Sequence, residues 1–554
     1  MTSSPGSSQS QARHPLVLTP PVERFLSRRN YAPLSLLLAT LLLAIIGSAQ
    51  AATYNSDGSL ADVIAKVALA SDGDTVTLPA GTFTWTSVLT ITKAITLQGL
   101  GTVTTDDGGR ATDCGTVIVC DSAQVIKFAG GADKAQRMTG IKFEHGTAPA
   151  SYLVELNGGT SNIDGRTMRL DHCVFENASP AGGLTVGAFD IIGVLDHCTF
   201  HVTTSNVIPI YIFHMNWNIP GASYAGGSWA DSSHFGTSKF FFIEDNNFNF
   251  DGVTYAAIDG SRGSRVVFRY NTLDHGSCEI HGSEQGVIRG GRAYEFYNNT
   301  FINNFGLLIN CRSAVVLAHD NTVVGGMPDP QIYLDDYRDA YSTAVFGVSD
   351  GTSPWDVNDT ADYTGNGLGG GPNGQKASGT ATGGGTDPGY YNWLTVTVAG
   401  SPWTPDQFAG YSIRKTSTNP ALQKGSYIGT NSSNTITYKH PASGTEMIFT
   451  AGDTFAIHKV IHSMDQPGRG EGSLVPQVAL PTPPSGWNNQ ITDPCYEWNN
   501  GTSHFFPQVK FIREGEHFFN NTPKPGYTPY TYPHPLVSGG HDGPGAPQDL
   551  HVTP

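Results

Sequence analysis

Phe268-Arg-Tyr-Asn-Thr-Leu273 is one of six similar stretches that return along the middle of this chain. Each has an apolar first residue, Asn or Cys in the fourth place, and Phe, Leu or Val in the sixth. The copies begin at residues 170, 195, 243, 268, 296 and 318, so the spacings are 25, 48, 25, 28 and 22 residues, the longest being close to two coils. A short motif with such a period in a strand-rich chain is typical of a solenoid with one coil per repeat.

The fixed offsets within the motif predict two columns of stacked side chains. Asn tolerates left-handed turn conformations, and its amide can hydrogen-bond to the same residue of the next coil. The sequence therefore predicts an all-β, right-handed, single-stranded parallel β-helix. In it Asn246, Asn271, Asn299 and Asn321 stack in one column, and Phe248, Leu273 and Phe301 are buried below them. The alternative, a β-sandwich, is disfavoured because sandwiches rarely repeat one local motif.

The N-terminal residues have the pattern of an export signal. The apolar run 34–46 follows Arg24, Arg28 and Arg29, and Ala49-Gln-Ala51 supplies small residues for a signal peptidase. The run is too short for an ordinary membrane span, so residues 1–51 are predicted to be a signal peptide. We expect a secreted protein, extracellular, periplasmic or on the cell surface, with no stable membrane span after cleavage. An uncleaved anchor is the alternative.

Further boundaries follow from composition. Ser59 is predicted to cap a short helix that closes the open end of the solenoid. Along the chain, the sequence predicts a β-helix at 52–350, a Gly-rich linker at 351–389, an inserted small β module at 390–460, closing coils at 461–525 and an extended tail at 526–554.

Three features of the chain belong together: the predicted capping helix, the Asn and Phe columns, and the string Asp72-Gly-Asp-Thr-Val-Thr-Leu-Pro-Ala-Gly-Thr-Phe83. In these features the chain resembles the pectate-lyase-like superfamily of right-handed β-helices. The resemblance covers residues 58–350 and 461–525. It implies a β-helix that acts on, or binds, carbohydrate; the superfamily includes polysaccharide lyases, glycoside hydrolases, epimerases and phage tailspikes. The calcium-binding aspartates and the catalytic arginine of pectate lyases have no matching positions here.

Arginine is concentrated between residues 258 and 295. Five arginines lie there: Arg262, Arg265, Arg269, Arg289 and Arg292. Counting from the repeat starts stacks Asp259, Glu284 and Arg312, whereas aligning Ile258-Asp-Gly with Ile280-His-Gly stacks Asp259 on His281. Either register predicts acids, a histidine and arginines on one exposed face of neighbouring coils.

Such a cluster suits β-elimination from a uronate polymer, which needs a base and a cation on the uronate carboxylate. The predicted catalytic residues are His281 as base, Arg292 as the carboxylate-neutralising group, Asp259 and Glu284. The predicted substrate-binding residues, under an overhanging loop at 201–242, are Arg262, Arg265, Arg289 and Trp229.

Three other interpretations remain open at this level. Asp259 and Glu284 could be the two carboxylates of a glycoside hydrolase. The charged residues could form structural ion pairs that stiffen the ladder. The solenoid could also be a noncatalytic, glycan-binding adhesion protein.

Charge and motifs limit the partners. The net charge of −16 argues against nucleic acid, so the expected partner is an acidic polysaccharide held by the local arginines. Asp245 and Asp320 share the third position of the repeat, which makes Ca²⁺ a candidate cofactor, although no loop has the spacing of calcium ligands. No other cofactor is predicted.

Overall fold

The computed structural model describes most of the chain beyond residue 50. The described residues are 51–130, 135–148, 152–159, 167–177, 183–204, 207–217, 226–282, 289–335, 375–387, 393–400, 403–409, 411–418, 425–439, 447–458, 465–472, 490–508 and 512–538. Almost all of the predicted signal peptide lies outside them. No helix in the described ranges is long and apolar enough to cross a membrane.

Three long parallel sheets form the body of the fold, and the chain visits sheet A, then sheet B, then sheet C in each coil. Sheet A contains Thr53–Asn55, Thr75–Leu78, Thr96–Gly99, Gln136–Thr139, Thr167–Asp171, Ile192–Asp196, Phe241–Glu244, Arg265–Arg269, Ala293–Tyr297, Val315–His319, Cys495–Trp498 and Phe518–Phe519. Sheet B contains Gly81–Trp85, Thr116–Cys120, Lys142–His145, Val174–Asn177, Thr199–Val202, Asn247–Phe250, Thr272–Asp274, Thr300–Asn304 and Thr322–Gly326. Sheet C contains Leu89–Ile91, Ile126–Phe128, Tyr152–Asn157, Gly183–Phe189, Val207–Phe213, Tyr255–Ser261, Gly276–Ile280, Leu307–Cys311, Gln331–Leu334 and Phe505–Pro507. The predicted right-handed parallel β-helix is confirmed.

The asparagine column is a continuous ladder of hydrogen bonds between coils. The Nδ2 of Asn246 donates to Asn271 Oδ1 at 3.0 Å, and the same contact joins Asn271 to Asn299 at 3.2 Å and Asn299 to Asn321 at 3.0 Å. Asn500 continues the ladder from Asn321 at 2.9 Å. Each amide also donates to a buried carbonyl, so the column satisfies polar groups that the turns would otherwise leave unpaired.

The sixth motif position forms the predicted apolar column. Phe175, Phe200 and Phe248 stack with ring centroids 4.8 and 5.0 Å apart, and Leu273 and Phe301 continue the column in the core. Cys173 and Cys198 occupy the Asn position as buried free thiols.

One inference from the spacing is wrong. The 48-residue interval was expected to hold two coils, but Leu195 pairs directly with Ile243 in neighbouring strands of sheet A. The interval is therefore a single coil with an insertion, which includes the short helix Gly226–Ala230.

The helix Leu60–Leu69 closes the first coil, as predicted. Ser59 is its N-cap and accepts a hydrogen bond from the Asp62 backbone N–H at 3.3 Å. Val63 and Val67 are buried against the end of the solenoid core, so the helix covers the apolar side chains of the first coil.

A closed antiparallel barrel interrupts the solenoid. Its strands, in spatial order, are Gln375–Thr386, Trp393–Val398, Thr435–Lys439, Gly425–Asn431, Ser412–Lys415 and Thr454–His458. This is the inserted β module, with a separate apolar core. The predicted Gly-rich linker at 351–389 therefore contains the first barrel strand, Gln375–Thr386. Its glycines permit close packing, because a Cβ on Gly384 would lie 2.5 Å from the Phe449 carbonyl oxygen.

Two short antiparallel pairs complete the strands: Val103–Thr105 with Ala111–Cys114, and Arg469–Gly470 with Ile491–Thr492. The C-terminal segment up to residue 538 lies against sheet A. There Arg269 donates to the carbonyls of Tyr530 and Thr531 at 2.8 and 2.9 Å. This segment therefore covers the outer face of sheet A and leaves sheet C to form an open site.

Candidate active site

A cleft of about 540 Å³ opens on the outer face of sheet C. The residues that line it come from several coils, and most are polar or aromatic: Tyr152, Ile208, Tyr211, Phe213, Tyr255, Asp259, Arg262, Glu279, His281 and Arg312. Because neighbouring parallel strands lie about 4.8 Å apart, side chains that are far apart in sequence lie close together in this cleft.

At the centre of the cleft is a pair formed by Asp259 and His281. Asp259 lies opposite Glu279 in the sheet, after a register shift between Ala256 and Asp259. Neither alignment drawn from the sequence is therefore the real register. His281 lies two positions beyond Glu279, on the same face of the strand, and its Nδ1 lies 3.0 Å from Asp259 Oδ2.

A second pair adjoins the first. Nη2 of Arg312 lies 2.6 Å from Glu279 Oε1 and 3.1 Å from His281 Nδ1. Nδ1 can donate to Asp259 when it carries a proton, or accept from Arg312 when it does not. Both neighbours thus fix the plane of the imidazole ring, and the presence or absence of a proton on Nδ1 selects between them.

Electrostatics keep Asp259 ionised. Burial raises the pKa of Asp259, but the charge of His281, its hydrogen bond and the charge of Arg312 together lower it more, so the pKa lies below its usual value. The Oδ1 of Asp259 is buried and has no hydrogen-bond partner in the described structure. Asp259 is therefore a carboxylate suited to orienting His281, and not a proton donor.

Arg262 lies on the rim without a carboxylate partner within ion-pair distance among the described residues. Its guanidinium is 5.2 Å from the centre of the Phe213 ring, and Nη1 approaches Met215 Sδ at 3.5 Å. Every other arginine named in the predicted site is paired or buried, so Arg262 is the cation best placed to meet an anionic ligand.

Three phenols complete the lining. Burial raises the pKa of Tyr211 to about 12, with a further contribution from the charge of Asp259, although Ser261 and Arg262 oppose it. The Tyr211 hydroxyl lies 2.6 Å from Ser261 Oγ. Burial also raises the pKa values of Tyr152 and Tyr255. All three phenols are therefore protonated at neutral pH and can donate a proton or a hydrogen bond.

The structure does not bring the other predicted arginines to this cleft. Arg265 is buried beside Trp217 and donates to the carbonyls of Ser228, Ser232 and Ser233. Arg289 pairs with Asp465. Arg292 is 0% exposed and pairs with Asp493 at 3.1 Å. These arginines hold inserted and closing segments on the solenoid. Because their side chains do not line the cleft, the structure does not fit substrate binding by Arg265 and Arg289 or a catalytic role for Arg292.

Nor does the 201–242 segment present Trp229 to the cleft. Trp229 is fully buried, donates to the Gly290 carbonyl at 3.1 Å, and packs against Arg289 and Arg292. The part of this segment that lines the cleft is the strand Val207–Phe213. Glu284 lies outside the described residues.

Calcium has no evident site in the described structure. Asp245 accepts a hydrogen bond from the Tyr532 hydroxyl at 2.9 Å, and Asp320 accepts one from Asn499 at 2.9 Å. Among the described residues, no three His, Cys, Asp or Glu side chains are grouped so as to hold a metal ion. The third-position aspartates do not fit the candidate Ca²⁺ cofactor.

Comparisons with known proteins concern the fold. No family model matches the chain, and no curated protein matches it significantly. An alginate lyase from Paenibacillus sp. str. FPU-7 is 17% identical, with 50% of this chain and 97% of that chain covered and a TM-score of 0.27. The PL6 family alginate lyase AlyGC is 15% identical, with coverages of 50% and 40% and a TM-score of 0.26.

A third similar structure is that of Pantoea stewartii WceF, a glycan biofilm modifying enzyme with a tailspike-like parallel β-helix. It is 12% identical, with coverages of 76% and 61% and a TM-score of 0.27. This chain spans less than two thirds of the length of AlyGC and of WceF.

Proposed function

We propose that this protein is a secreted polysaccharide lyase that cleaves a uronate-containing polymer by β-elimination. The observation that carries the proposal is the position of Arg262, a guanidinium without a carboxylate partner in the described structure, in the same cleft as the Asp259–His281 pair. A cation for the substrate carboxylate and an oriented base are the two groups that this reaction requires.

In the proposed reaction, Arg262 binds the uronate carboxylate and stabilises the charge that develops on it. His281 removes the proton from the carbon beside that carboxylate. The carbon–oxygen bond to the leaving sugar breaks as a carbon–carbon double bond forms, and Tyr211 protonates the leaving oxygen. The products are an unsaturated uronate end and a new hydroxyl end, and no water is consumed.

The hydrolase alternative is less well supported. A glycosidase needs one carboxyl group kept protonated by a raised pKa, whereas the pKa of Asp259 is lowered. Glu279, the carboxylate that faces Asp259 across the strands, is paired with Arg312. Neither Asp259 nor Glu279 is therefore suited to be the general acid, and Glu284, the second carboxylate of this alternative, lies outside the described residues.

The test is incubation of the purified protein with alginate, polygalacturonate and mixed uronate polymers. The unsaturated product absorbs in the ultraviolet, and we expect His281→Ala to lower its rate of formation by about a hundredfold. New reducing ends without that absorbance would identify a hydrolase. Binding without any cleavage would leave the glycan-binding protein as the function.

Secretion is tested separately, by mass spectrometry of the protein after expression in an exporting host. Cleavage of the signal peptide after Ala51 predicts a mature chain that begins at Ala52. A chain that keeps its N-terminus and stays with the membrane would support the uncleaved anchor.

A further inference from the structure

A second cleft, of about 750 Å³, lies between the inserted barrel and the last strand of sheet C. The barrel contributes Trp393 and Tyr427, and the solenoid contributes Phe506 and Pro507. Phe506 is 50% exposed, which is unusual for a phenylalanine on an otherwise well-packed sheet.

The walls of this cleft are fixed in place. Lys439 of the barrel forms a buried ion pair with Asp335, which directly follows the strand Gln331–Leu334 of sheet C. Trp393 and Tyr427 also pack against the core of the solenoid. The barrel therefore cannot leave the solenoid without breaking a buried ion pair, and the aromatic walls are held ready for a ligand.

The barrel strand is shaped for a flat aromatic ring. A Cβ on Gly429 would lie 2.3 Å from the ring of Trp393, so only glycine lets this indole lie against the strand. Trp393 is oriented edge-on to Tyr427, with ring centroids 6.2 Å apart. Tyr427 is buried, so the aromatic surfaces left for the apolar face of a sugar ring are those of Trp393 and Phe506.

One row of outward-facing residues connects the two clefts. In the register of sheet C, Asp259 faces Glu279, which is followed in successive coils by Asn310, Tyr333 and Phe506. Four strand spacings of about 4.8 Å separate Asp259 from Phe506, which is about 19 Å along the solenoid axis. A polysaccharide that follows this row from the candidate active site therefore reaches the barrel after a few sugar units.

Charge indicates which sugar the second cleft accepts. Asp406 and Glu514 lie on its edge and are exposed, whereas its arginine, Arg513, is paired with Glu516. The exposed carboxylate of Glu514 would repel a uronate carboxylate, but it can accept a hydrogen bond from a hydroxyl group of an uncharged sugar.

We infer that the barrel cleft is a distal binding site for an uncharged sugar unit of the same polysaccharide. The inference rests on the proposed function, because the chain it binds is the substrate of the first cleft. It makes the substrate a mixed polymer, with a uronate at Arg262 and a neutral sugar between Trp393 and Phe506. A polymer made of uronates alone would leave the second cleft empty.

The experiment is affinity electrophoresis of the full chain in gels that contain gellan, whose repeat combines a uronate with neutral sugars, or polygalacturonate. We expect Phe506→Ala to weaken the apparent affinity for gellan about fivefold and to leave that for polygalacturonate unchanged. Phe506→Tyr, which keeps an aromatic ring, should retain the affinity. Val324→Ala is the matched control, because Val324 is also 50% exposed but lies on sheet B.

Three results would overturn the inference: no retardation of the wild-type protein by gellan, equal retardation of the wild-type and Phe506→Ala proteins, or equal losses with both polymers. His281→Ala separates this site from the chemistry, since it should lower cleavage about a hundredfold while retardation by gellan still depends on Phe506. If the wild-type protein forms no unsaturated product but its retardation still depends on Phe506, the lyase proposal fails and the sugar site remains.

Discussion

His281 Nδ1 lies 3.0 Å from Asp259 Oδ2, between neighbouring coils and across 22 positions of the sequence. The carboxylate holds the proton on Nδ1, which leaves Nε2, an atom that is buried in this structure, as the basic nitrogen of the neutral ring. Asp259→Asn keeps the shape of the side chain but removes this preference. We expect the turnover of a uronate polymer to fall about a hundredfold, with little change in the melting temperature.

A matched pair elsewhere provides the control for this prediction. Asp274 Oδ1 lies 2.7 Å from His275 Nδ1, but both side chains are more than 40% exposed, outside the cleft. Asp274→Asn should leave turnover unchanged. Equal activity of the Asp259→Asn and wild-type proteins, measured over a range of pH, would show that Asp259 does not position the base.

Arg262 should act on the substrate carboxylate. Arg262→Gln removes the cation while keeping a polar side chain, and we expect kcat/KM on a uronate polymer to fall about a hundredfold. On the methyl-esterified polymer, in which the carboxylate charge is absent, the same substitution should have little effect. A loss of equal size on both substrates would place Arg262 in the structure of the cleft and not in carboxylate recognition.

Arg292, by contrast, should matter for stability. It is fully buried and donates to Asp493 at 3.1 Å, so Arg292→Ala leaves a buried carboxylate without its partner. We expect a loss of about 3–5 kcal/mol in the free energy of unfolding, measured by denaturant titration. Arg110→Ala, which breaks a partly exposed pair with Asp106, should cost about 1 kcal/mol or less. A stable Arg292→Ala protein would show that the pair contributes little.

The solenoid could be predicted from sequence because its signal is local and repeated. Asn271 occupies the same offset as Asn246 and Asn299, and an identical environment in each coil follows directly. The site could be predicted only in part. Asp259, His281 and Arg262 do lie in one cleft, since they are close in sequence and face the same way.

The other arginines were misplaced for a geometric reason. The chain passes from sheet C to sheet A within each coil, so a cluster within 31 residues of sequence is divided between sheet A and the turns that follow sheet C. Arg265 lies on sheet A, and the partners of Arg289 and Arg292 are 176 and 201 residues away. No local sequence pattern shows that distant segments pack over these arginines and bury them. Arg312 did appear in one of the two registers that the sequence suggests. Its position beside His281, however, depends on the register shift between Ala256 and Asp259.

The asparagine ladder makes a prediction about stability. The side chain of Asn271 accepts hydrogen bonds from the backbone and side chain of Asn246, and donates to the Ile243 carbonyl at 2.8 Å. Asn271→Ala leaves these buried groups unpaired, so we expect a loss of about 2 kcal/mol or more in the free energy of unfolding. Asn249→Ala, on the outer face of sheet B, is the control and should be nearly neutral. Equal melting temperatures of the two variants would contradict the prediction.

The last prediction concerns pH. Glu295, on the covered face of sheet A, is 0% exposed and accepts hydrogen bonds from the Gly236 backbone N–H and the Tyr527 hydroxyl. Burial raises its pKa from 4.5 to about 7, although both hydrogen bonds and the charge of Arg269 oppose the shift. The folded protein therefore binds this proton more tightly than the unfolded chain. The stabilisation is complete below about pH 4.5 and is lost as the pH rises through about 7.

Glu295→Gln keeps a neutral side chain of the same shape and removes the titration. We expect the melting temperature of the wild-type protein to fall between pH 5 and pH 8, and the fall to be smaller in Glu295→Gln, because the variant has no carboxylate to ionise beneath the C-terminal segment. Glu514→Gln, which removes an exposed carboxylate, controls for the change in net charge. If Glu295→Gln and the wild-type protein lose the same stability over this range, Glu295 is already ionised in the folded protein at pH 5, and Tyr527 holds a carboxylate there instead of a carboxylic acid.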